Sequence, residues 1–597
     1  MDVLFINNLN FSNYSGATMP NIGILGLATI LKEAGHSVFV FDLAYERLQG
    51  RIQLDNDYHI FAENLVDLIY SYNPQIVGFT TMCDTYPFIL DISRRIKRKY
   101  GSVKLILGGP QASITAKETM ESYSCIDLIA IGESEQSIVS IIRALLDKKR
   151  GYMLLKTIPN IIYRIDGVVQ STTQSQLCLD ATMLPTIDDS LLEKYTRHSV
   201  TYAIDVGRGC PYSCTFCCTN DFWNRRFRLK STKRIIDEMD YIQNKYGIKV
   251  FAFQHDLFTA SREKLRNFCD ELLNSGLEVS WGCSARLDTL DFDIIDHMVR
   301  ANCKRIYIGI ETGSEKMQKA IKKNLKIENV LKMVKYMKQK GLRVTCSFIY
   351  GFADESENDL LETISLIGSL VTMDIDNIQL HRLMPYPKTE ELYKVLDRLY
   401  FDKNKINCTL SERRYLENVF DIITTNKNIF SNFYEFDSDV RSAKWKNLDI
   451  FIQILRVLHK FFIHIYNVLF SIYSDIPSVF SLYSEWLDTE VECIEVNNIE
   501  VNIEEELERV TLELISKITS DLLEITNRKY LVNVYNFGRD MIIFDGDRDC
   551  HELTKEYPVN VVLLQKNAYT IEDNDIFELV KVKFTKIEDK LSCKRIA

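Results

Sequence analysis

Gly209-Cys210-Pro211-Tyr212-Ser213-Cys214-Thr215-Phe216-Cys217 spaces three cysteines as C-x3-C-x2-C. Three thiolates at this spacing can hold three irons of a [4Fe–4S] cluster, whose full complement is four cysteines. The fourth iron is then open to an outside ligand, which separates a cluster that reacts from one that only relays electrons. A zinc site, with Cys218 or a distant histidine as fourth ligand, is the alternative. Zinc knuckles normally carry two C-x2-C pairs, and the chain has no second pair.

Outward from this motif toward the C-terminus, strand and helix patterns alternate. Strands are expected at Tyr202–Val206, Val250–Gln254, Val279–Ser284, Arg305–Ile310, Val344–Tyr350 and Asn377–Leu380, with amphipathic helices such as Lys233–Lys245, Arg262–Leu273 and Asn329–Lys340 between them. Repeated βα units over residues 199–395 imply an open, partial (β/α)6 barrel with its chemistry at the strand C-termini. Those ends carry, in order, the cysteine loop, Asp256, Arg286, Glu311, Gly351 and His381. Any one charged residue there could be a structural ion pair; the whole set on one rim points to a site. Glu311 can accept from an ammonium or hydroxyl group, and Arg286 can donate to a carboxylate or hydroxyl. The cations Arg225, Arg226, Arg228 and Lys230 read as a solvated or helix-capping face, with an anionic group of substrate or cofactor as the alternative.

Toward the N-terminus, residues 1–150 also alternate. Strands at Val3–Asn7, Ser37–Asp42, Ile76–Thr81, Val103–Leu107 and Leu128–Ile131 are separated by helices such as Gly23–Ala34, Phe88–Tyr100 and Gln136–Leu146. This order implies a flavodoxin-like, doubly wound parallel sheet, whose ligands bind beyond the carboxyl ends of the strands. Gly108, Gly109 and Ala112 would let a large planar ligand approach the backbone there. Residues 151–198 read as a linker. Residues 396–597 carry no motif and read as mainly helical, with acidic runs such as Glu504–Glu508 and short strands after Lys529.

The cysteine spacing, with aromatic Phe216 before the third thiol, resembles the radical S-adenosylmethionine (SAM) superfamily. A doubly wound domain ahead of it, with Gly23-Ile-Leu-Gly-Leu-Ala28, Gly108-Gly-Pro110 and Gly132-Glu133, resembles the cobalamin-binding class of these enzymes. The resemblance implies three cofactors: a [4Fe–4S] cluster on Cys210, Cys214 and Cys217, SAM, and cobalamin. It implies SAM contacts at Phe216, Asp256, Arg286, Glu311, Tyr350, Gly351 and His381. It also implies cobalamin contacts at Thr81, Met82, Gly108, Gly109, Pro110, Gln111, Ala112, Gly132 and Glu133. Three departures stand out. The Asn7–Gly16 loop lacks the cobalt-ligating histidine of many cobalamin domains, as radical SAM members commonly do, which implies base-off binding without histidine. The usual Gly-Gly-Glu after the second barrel strand reads Gln254-His-Asp256. Lys388 replaces glycine in Pro385-Tyr-Pro-Lys-Thr389. A domain that keeps the fold and has lost cobalamin is the alternative.

The 597 residues are too many for one core, and the net charge of −10 argues against general nucleic-acid binding. Val3-Leu-Phe-Ile6 reads as a strand rather than a signal peptide, and the mostly isolated cysteines suit a reducing cytoplasm. Cys269, Cys283, Cys303 and Cys346 read as small core residues. Ile450–Tyr473 is apolar, yet Gln453, Arg456, Lys460, His464, Asn467 and Ser471 recur every three or four residues, so it reads as a core or interface helix rather than a membrane span. The resemblance implies a radical C-methyltransferase acting on an unactivated carbon of a natural product or ribosomal peptide, in which one SAM methylates cobalamin and a second yields the radical. An oxidoreductase, cyclase or rearrangement enzyme without net methyl transfer is the alternative, and a non-catalytic redox or cobalamin sensor is a third reading. Expected partners are a peptide or small-molecule substrate and an electron donor such as flavodoxin or ferredoxin.

Overall fold

The computed structural model describes residues 1–7, 9, 11, 21–174, 184–197, 199–403, 405–406, 414–461, 463–473 and 475–496. Further on it describes residues 510, 513–514, 517–518, 521, 530–531, 535–537, 540–542, 561–565 and 594–596. Most of the Asn7–Gly16 loop and the whole Glu504–Glu508 run lie outside the described residues.

The first sheet is built from β1 (Val3–Ile6), β2 (Val38–Phe41), β3 (Ile76–Thr80), β4 (Lys104–Gly108), β5 (Leu128–Ala130), β6 (Ile161–Ile165) and β7 (Val168–Ser171). Its order is β2-β1-β3-β4-β5-β6-β7, parallel through β5 and antiparallel after it. Near-continuous apolar strands such as Val3-Leu-Phe-Ile6 are what a sheet covered on both faces requires. Phe5 and Ile106 face a core shared with the helix Ile22–Glu33, while Leu4, Ile6, Leu105 and Leu107 face a second core. Residues 151–171 do not begin a linker: β6 pairs with β5 and extends the sheet. Tyr163 and Ile162 are buried there, so apolar alternation favours pairing over an exposed tether.

The second sheet holds β8 (Thr201–Asp205), β11 (Val250–Gln254), β12 (Ser280–Ala285), β13 (Cys303–Glu311), β14 (Arg343–Tyr350) and β15 (Asn377–Arg382) in the order β15-β14-β13-β12-β11-β8, all parallel. Two short strands, β9 (Gly207–Arg208) and β10 (Arg228–Leu229), pair antiparallel beside it. The chain is therefore α/β, a doubly wound sheet followed by an open six-unit barrel. One apolar core runs unbroken from Val3 and Ile106 of the first sheet through Ile204 and Ile308 of the barrel to Phe451.

The polar stripe of the apolar C-terminal segment has a structural use. Helix Leu448–Phe461 covers the edge of β15, and helix Ile463–Ile472 packs against that helix. Gln453 Nε2 donates to the carbonyl of Ile378 and Arg456 Nη1 to that of Asp376 at 2.8 Å. Unpaired strand groups are thus satisfied by side chains, which is one way of closing a sheet edge. No helix among the described residues is long and apolar enough to cross a membrane. Residues 415–434 turn back onto the first domain, where Tyr415 stacks on Phe61 at 5.5 Å. Tyr530–Leu531, Val561–Gln565 and Lys594–Ile596 form a small antiparallel sheet.

Gly109 follows β4 with φ of 90°, a region side chains avoid. A Cβ there would lie 2.9 Å from the backbone nitrogen of Thr81 and 3.0 Å from its oxygen. Gly109→Ala should cost roughly 1–3 kcal/mol, as strained left-handed positions do, read as a lower urea midpoint for the apoprotein.

Candidate active site

The two sheets present their strand C-termini to one another across a cavity of about 920 Å³. Its first-domain wall includes Phe79, Met82, Gly108, Gly109, Pro110, Gly132 and Glu133. Its barrel wall includes Asp205, Arg208, Gln254, His255 and Asp256. The cavity reaches the C-terminal ends of the paired strands β1 and β3, where the order β2-β1-β3 puts the topological switch point. A Cβ added at Gly108 or Gly132 would meet no atom within 4 Å, so bare backbone faces open space at both. That wall and volume fit a large ligand such as cobalamin lying against the main chain.

Three of the residues expected to touch cobalamin do not line this cavity. Thr81 is fully buried, accepting from the Ala112 amide at 2.9 Å and donating to the Gly108 carbonyl at 2.8 Å. Gln111 is buried and donates to the carbonyl of Ile429 at 2.8 Å. Ala112 is wholly enclosed. The turn after β4 therefore presents Gly108–Pro110 to the cavity and turns its next two side chains into the protein. Glu133 does line the cavity, with both oxygens taken by arginines.

The cysteine loop is an excursion between β9 and β10. It begins at Gly209, whose φ of 85° and closeness to the Arg226 carbonyl leave no room for a side chain. The Gly209 amide donates to Asp256 Oδ2 at 3.0 Å, so Asp256 orients this loop even though its side chain reaches solvent. Surrounding protein raises the Asp256 carboxyl above its usual range. Cys210, Cys214 and Cys217 lie close enough for their charges to act on one another. Burial pushes the Cys210 thiol up to about 11 and also raises that of Cys217. Among the described residues, no three His, Cys, Asp or Glu side chains converge as a single metal ion would need. Arg286 Nη1 donates to Cys214 Sγ at 3.4 Å. Three thiols on one loop, with a cation on one of them, are the residue types that an anionic iron–sulfur cluster requires. Cys218, next to Cys217, also lies near Cys83 and Tyr386.

Beside the thiols, Arg286 is buried at the end of β12, with Asp288 on its Nε and Nη2 and the Tyr212 ring 3.8 Å away. Glu311 ends β13 with φ of 73°, a strained conformation for a side-chain-bearing residue, at a register shift between β13 and β14. Its Oε1 pairs with Lys323 Nζ at 2.6 Å, both side chains buried. A Cβ at Gly309 would sit 2.2 Å from that Glu311 oxygen, so the space belongs to the ion pair. Lys323 also accepts from Arg286 Nη2 through its carbonyl at 2.6 Å. Sequence reading missed Lys323; the signal was a lysine pair in a loop following the Glu311 strand. Phe216 packs edge-on against Phe352 at 6.0 Å. Tyr350, expected at the cofactor, is buried away from the rim, its hydroxyl donating to the Trp445 carbonyl at 3.4 Å. The alternation of β14 turns that side chain into the C-terminal packing. His381 is exposed on β15. Lys388 has φ of 62°, a left-handed geometry that favours glycine, the residue it replaces in the Pro385–Thr389 pattern. Glu355, also unforeseen, holds the turn after β14 through the amides of Gly351 at 2.5 Å and Phe352 at 3.1 Å. Burial lifts its carboxyl to about 7.

The cationic run after Trp223 is partly structural. Arg228 pairs with Glu133 at 2.8 Å and Lys230 with Glu238 at 2.9 Å. Neither ion pair needs an anionic ligand.

The radical SAM superfamily profile matches residues 204–367, and the B12 binding domain profile matches residues 13–142. An uncharacterised methyltransferase of Pyrococcus horikoshii is 28% identical over 403 residues, covering 67% of this chain and 82% of that one. The anaerobic magnesium-protoporphyrin IX monomethyl ester cyclase of Rubrivivax gelatinosus is 25% identical over 68% of this chain and 72% of its own. The solved radical SAM methyltransferase TsrM from Kitasatospora setae shares the fold with a TM-score of 0.54 at 16% identity, over 70% of this chain and 85% of that one. The cobalamin-dependent radical enzyme OxsB shares it with a TM-score of 0.56 at 16% identity, over 88% and 80%. The fold and the thiol-lined rim define a radical SAM enzyme. The chain carries both a radical SAM domain and a B12-binding domain, and the cofactors of that pairing are a [4Fe–4S] cluster, SAM and cobalamin.

Two outcomes follow for the apoprotein. Lys323→Met leaves the Glu311 carboxylate buried without its partner, and should cost about 3–5 kcal/mol in chemical denaturation. His255 Nδ1 accepts from the Leu257 amide at 2.9 Å, so Nε2 carries the proton and donates to the Arg228 carbonyl at 3.1 Å. Burial lowers this imidazole from 6.5 to about 4. On acidification the unfolded chain takes the proton first, so stability present above pH 6.5 is lost as pH falls toward 4. His255→Gln should flatten that part of the stability–pH curve.

Proposed function

We propose that this enzyme transfers a methyl group from SAM to an unactivated carbon of a natural-product or ribosomal-peptide substrate. The observation that supports this reading is the shared cavity: one space touches both Gly108 and Gly132 of the first domain and Asp205 and Asp256 at the barrel mouth. A substrate carbon between the two walls would be near both halves of the chemistry. When bound, the cluster and SAM supply hydrogen-atom abstraction and cobalamin supplies a methyl carrier.

In this proposal Cys210, Cys214 and Cys217 hold three irons and leave the fourth for SAM. Arg286, Glu311 and Lys323 receive the amino-acid and ribose ends of SAM through charged hydrogen bonds. Phe216 and the Gly351 backbone flank its adenine. Gly108–Pro110, Gly132 and Met82 would bear cobalamin against the main chain. His381, exposed on the last strand, faces the substrate. The single electron comes from a flavodoxin or ferredoxin, and residues 396–597 contribute to substrate recognition.

A second reading, cyclisation or oxidation without net methylation, is favoured by the likeness to the monomethyl ester cyclases. Turnover of candidate substrates with deuterated-methyl SAM separates the two. Product gaining the labelled methyl supports methyl transfer; turnover with 5′-deoxyadenosine and no added methyl moves the assignment to the second reading. Cys217→Ala should abolish 5′-deoxyadenosine, whereas Cys218→Ala should keep the cluster by iron and sulfide analysis.

A further inference from the structure

Glu133 places its two carboxylate oxygens on two arginines that stand on the two legs of one hairpin. Oε1 accepts from Arg208 Nη1 on β9 at 3.0 Å, and Oε2 from Arg228 Nη1 on β10 at 2.8 Å. Between those legs runs the loop bearing Cys210, Cys214 and Cys217. Glu135 binds Arg208 Nη1 at 2.6 Å, and Asp205 approaches its Nη2 at 3.4 Å. None of these five side chains is more than 14% exposed.

Glu133 and Glu135 come from the first domain, in the turn just after β5. Gly132 of that turn is part of the first-domain wall of the cavity. One short segment therefore has its backbone against the cleft and its carboxylates on the base of the thiol loop. Arg208 is only two residues from Cys210. A buried carboxylate cannot let go of either arginine without leaving an uncompensated charge, so turn and hairpin legs move together.

We propose that Glu133, Arg208 and Arg228 are positioning residues that couple occupancy of the first-domain cleft to the geometry of the cluster loop. This rests on the assignment of cobalamin to the cleft and the cluster to the three cysteines. A ligand lying along Gly132 sets the turn, the turn sets Glu133, and Glu133 sets both legs. Coupling between binding sites is reciprocal, so a loaded cluster must alter cobalamin affinity by the same factor.

Anaerobic titration of hydroxocobalamin into full-length protein, cluster-free and reconstituted, tests this. The wild type should bind with affinities differing by at least about fivefold between the two states. Arg228→Gln should bring that ratio to within about twofold of unity while still loading a full cluster and one cobalamin. Arg228 is neither a cysteine ligand nor among the cavity-lining residues, so its effect would not be a lost cofactor contact. Arg228→Lys, which keeps the charge and loses the guanidinium's planar geometry, serves the same purpose if Arg228→Gln does not load. Electron paramagnetic resonance of the reduced cluster gives a second readout: cobalamin should shift the signal in the wild type and not in the variant. A wild-type ratio near one, or a ratio retained in the loaded variants, overturns the coupling. Absence of cobalamin binding by the wild type in both states would instead overturn the cleft assignment, and the coupling with it.

Discussion

The buried Glu133 carboxylate between Arg208 and Arg228 is the interaction on which the arrangement of the two sheets depends. Apolar burial brings the sheets together, since their cores are continuous, but apolar contact is non-directional. Charged groups taken out of water tolerate few geometries. Removing one partner exposes the full cost of the other's desolvation, so a buried network favours one arrangement over its neighbours. Here the favoured arrangement sets two sets of strand ends face to face across one cavity.

The rim beside the thiols has the same logic at shorter range. Lys323 reaches Glu311 through its ammonium and Arg286 through its carbonyl, so one loop residue orients two charged groups from different strands. Glu311 holds a left-handed backbone conformation at a register shift of its strand. Such strain persists only where the surroundings over-determine it, here the ion pair and the space at Gly309. Asp256 plays a supporting part, taking the Gly209 amide where similar enzymes place a glutamate motif.

An open six-stranded barrel has an edge at β15, and the chain deals with it late in its sequence. Gln453 and Arg456 donate to β15-side carbonyls, while the apolar remainder of their helix joins the main core. Residues 415–434 seal the back of the first sheet. The C-terminal third thus binds both units before any question of substrate arises.

Local pattern was enough to read the parallel strands of both sheets, because alternation of apolar runs with amphipathic helices is a short-range property, whereas the antiparallel β6 and β7 read as linker. The thiol spacing was equally legible, since three cysteines within eight residues need no fold to be recognised. Arg286 and Glu311 were readable as rim residues because strand ends are predictable from strand positions. What the sequence could not assign were partners far apart in the chain. Glu133 and Arg208 are separated by 75 residues, and only the folded junction turns a cofactor-turn glutamate into a grip on the cysteine hairpin. Thr81, Gln111 and Tyr350 looked like ligand contacts by position, and side-chain direction, which depends on the packing around each turn, sent them inward. Residue type and spacing determined which chemistry this protein carries; tertiary burial decided which charges meet, because a desolvated ion selects its partner by geometry rather than by distance along the chain.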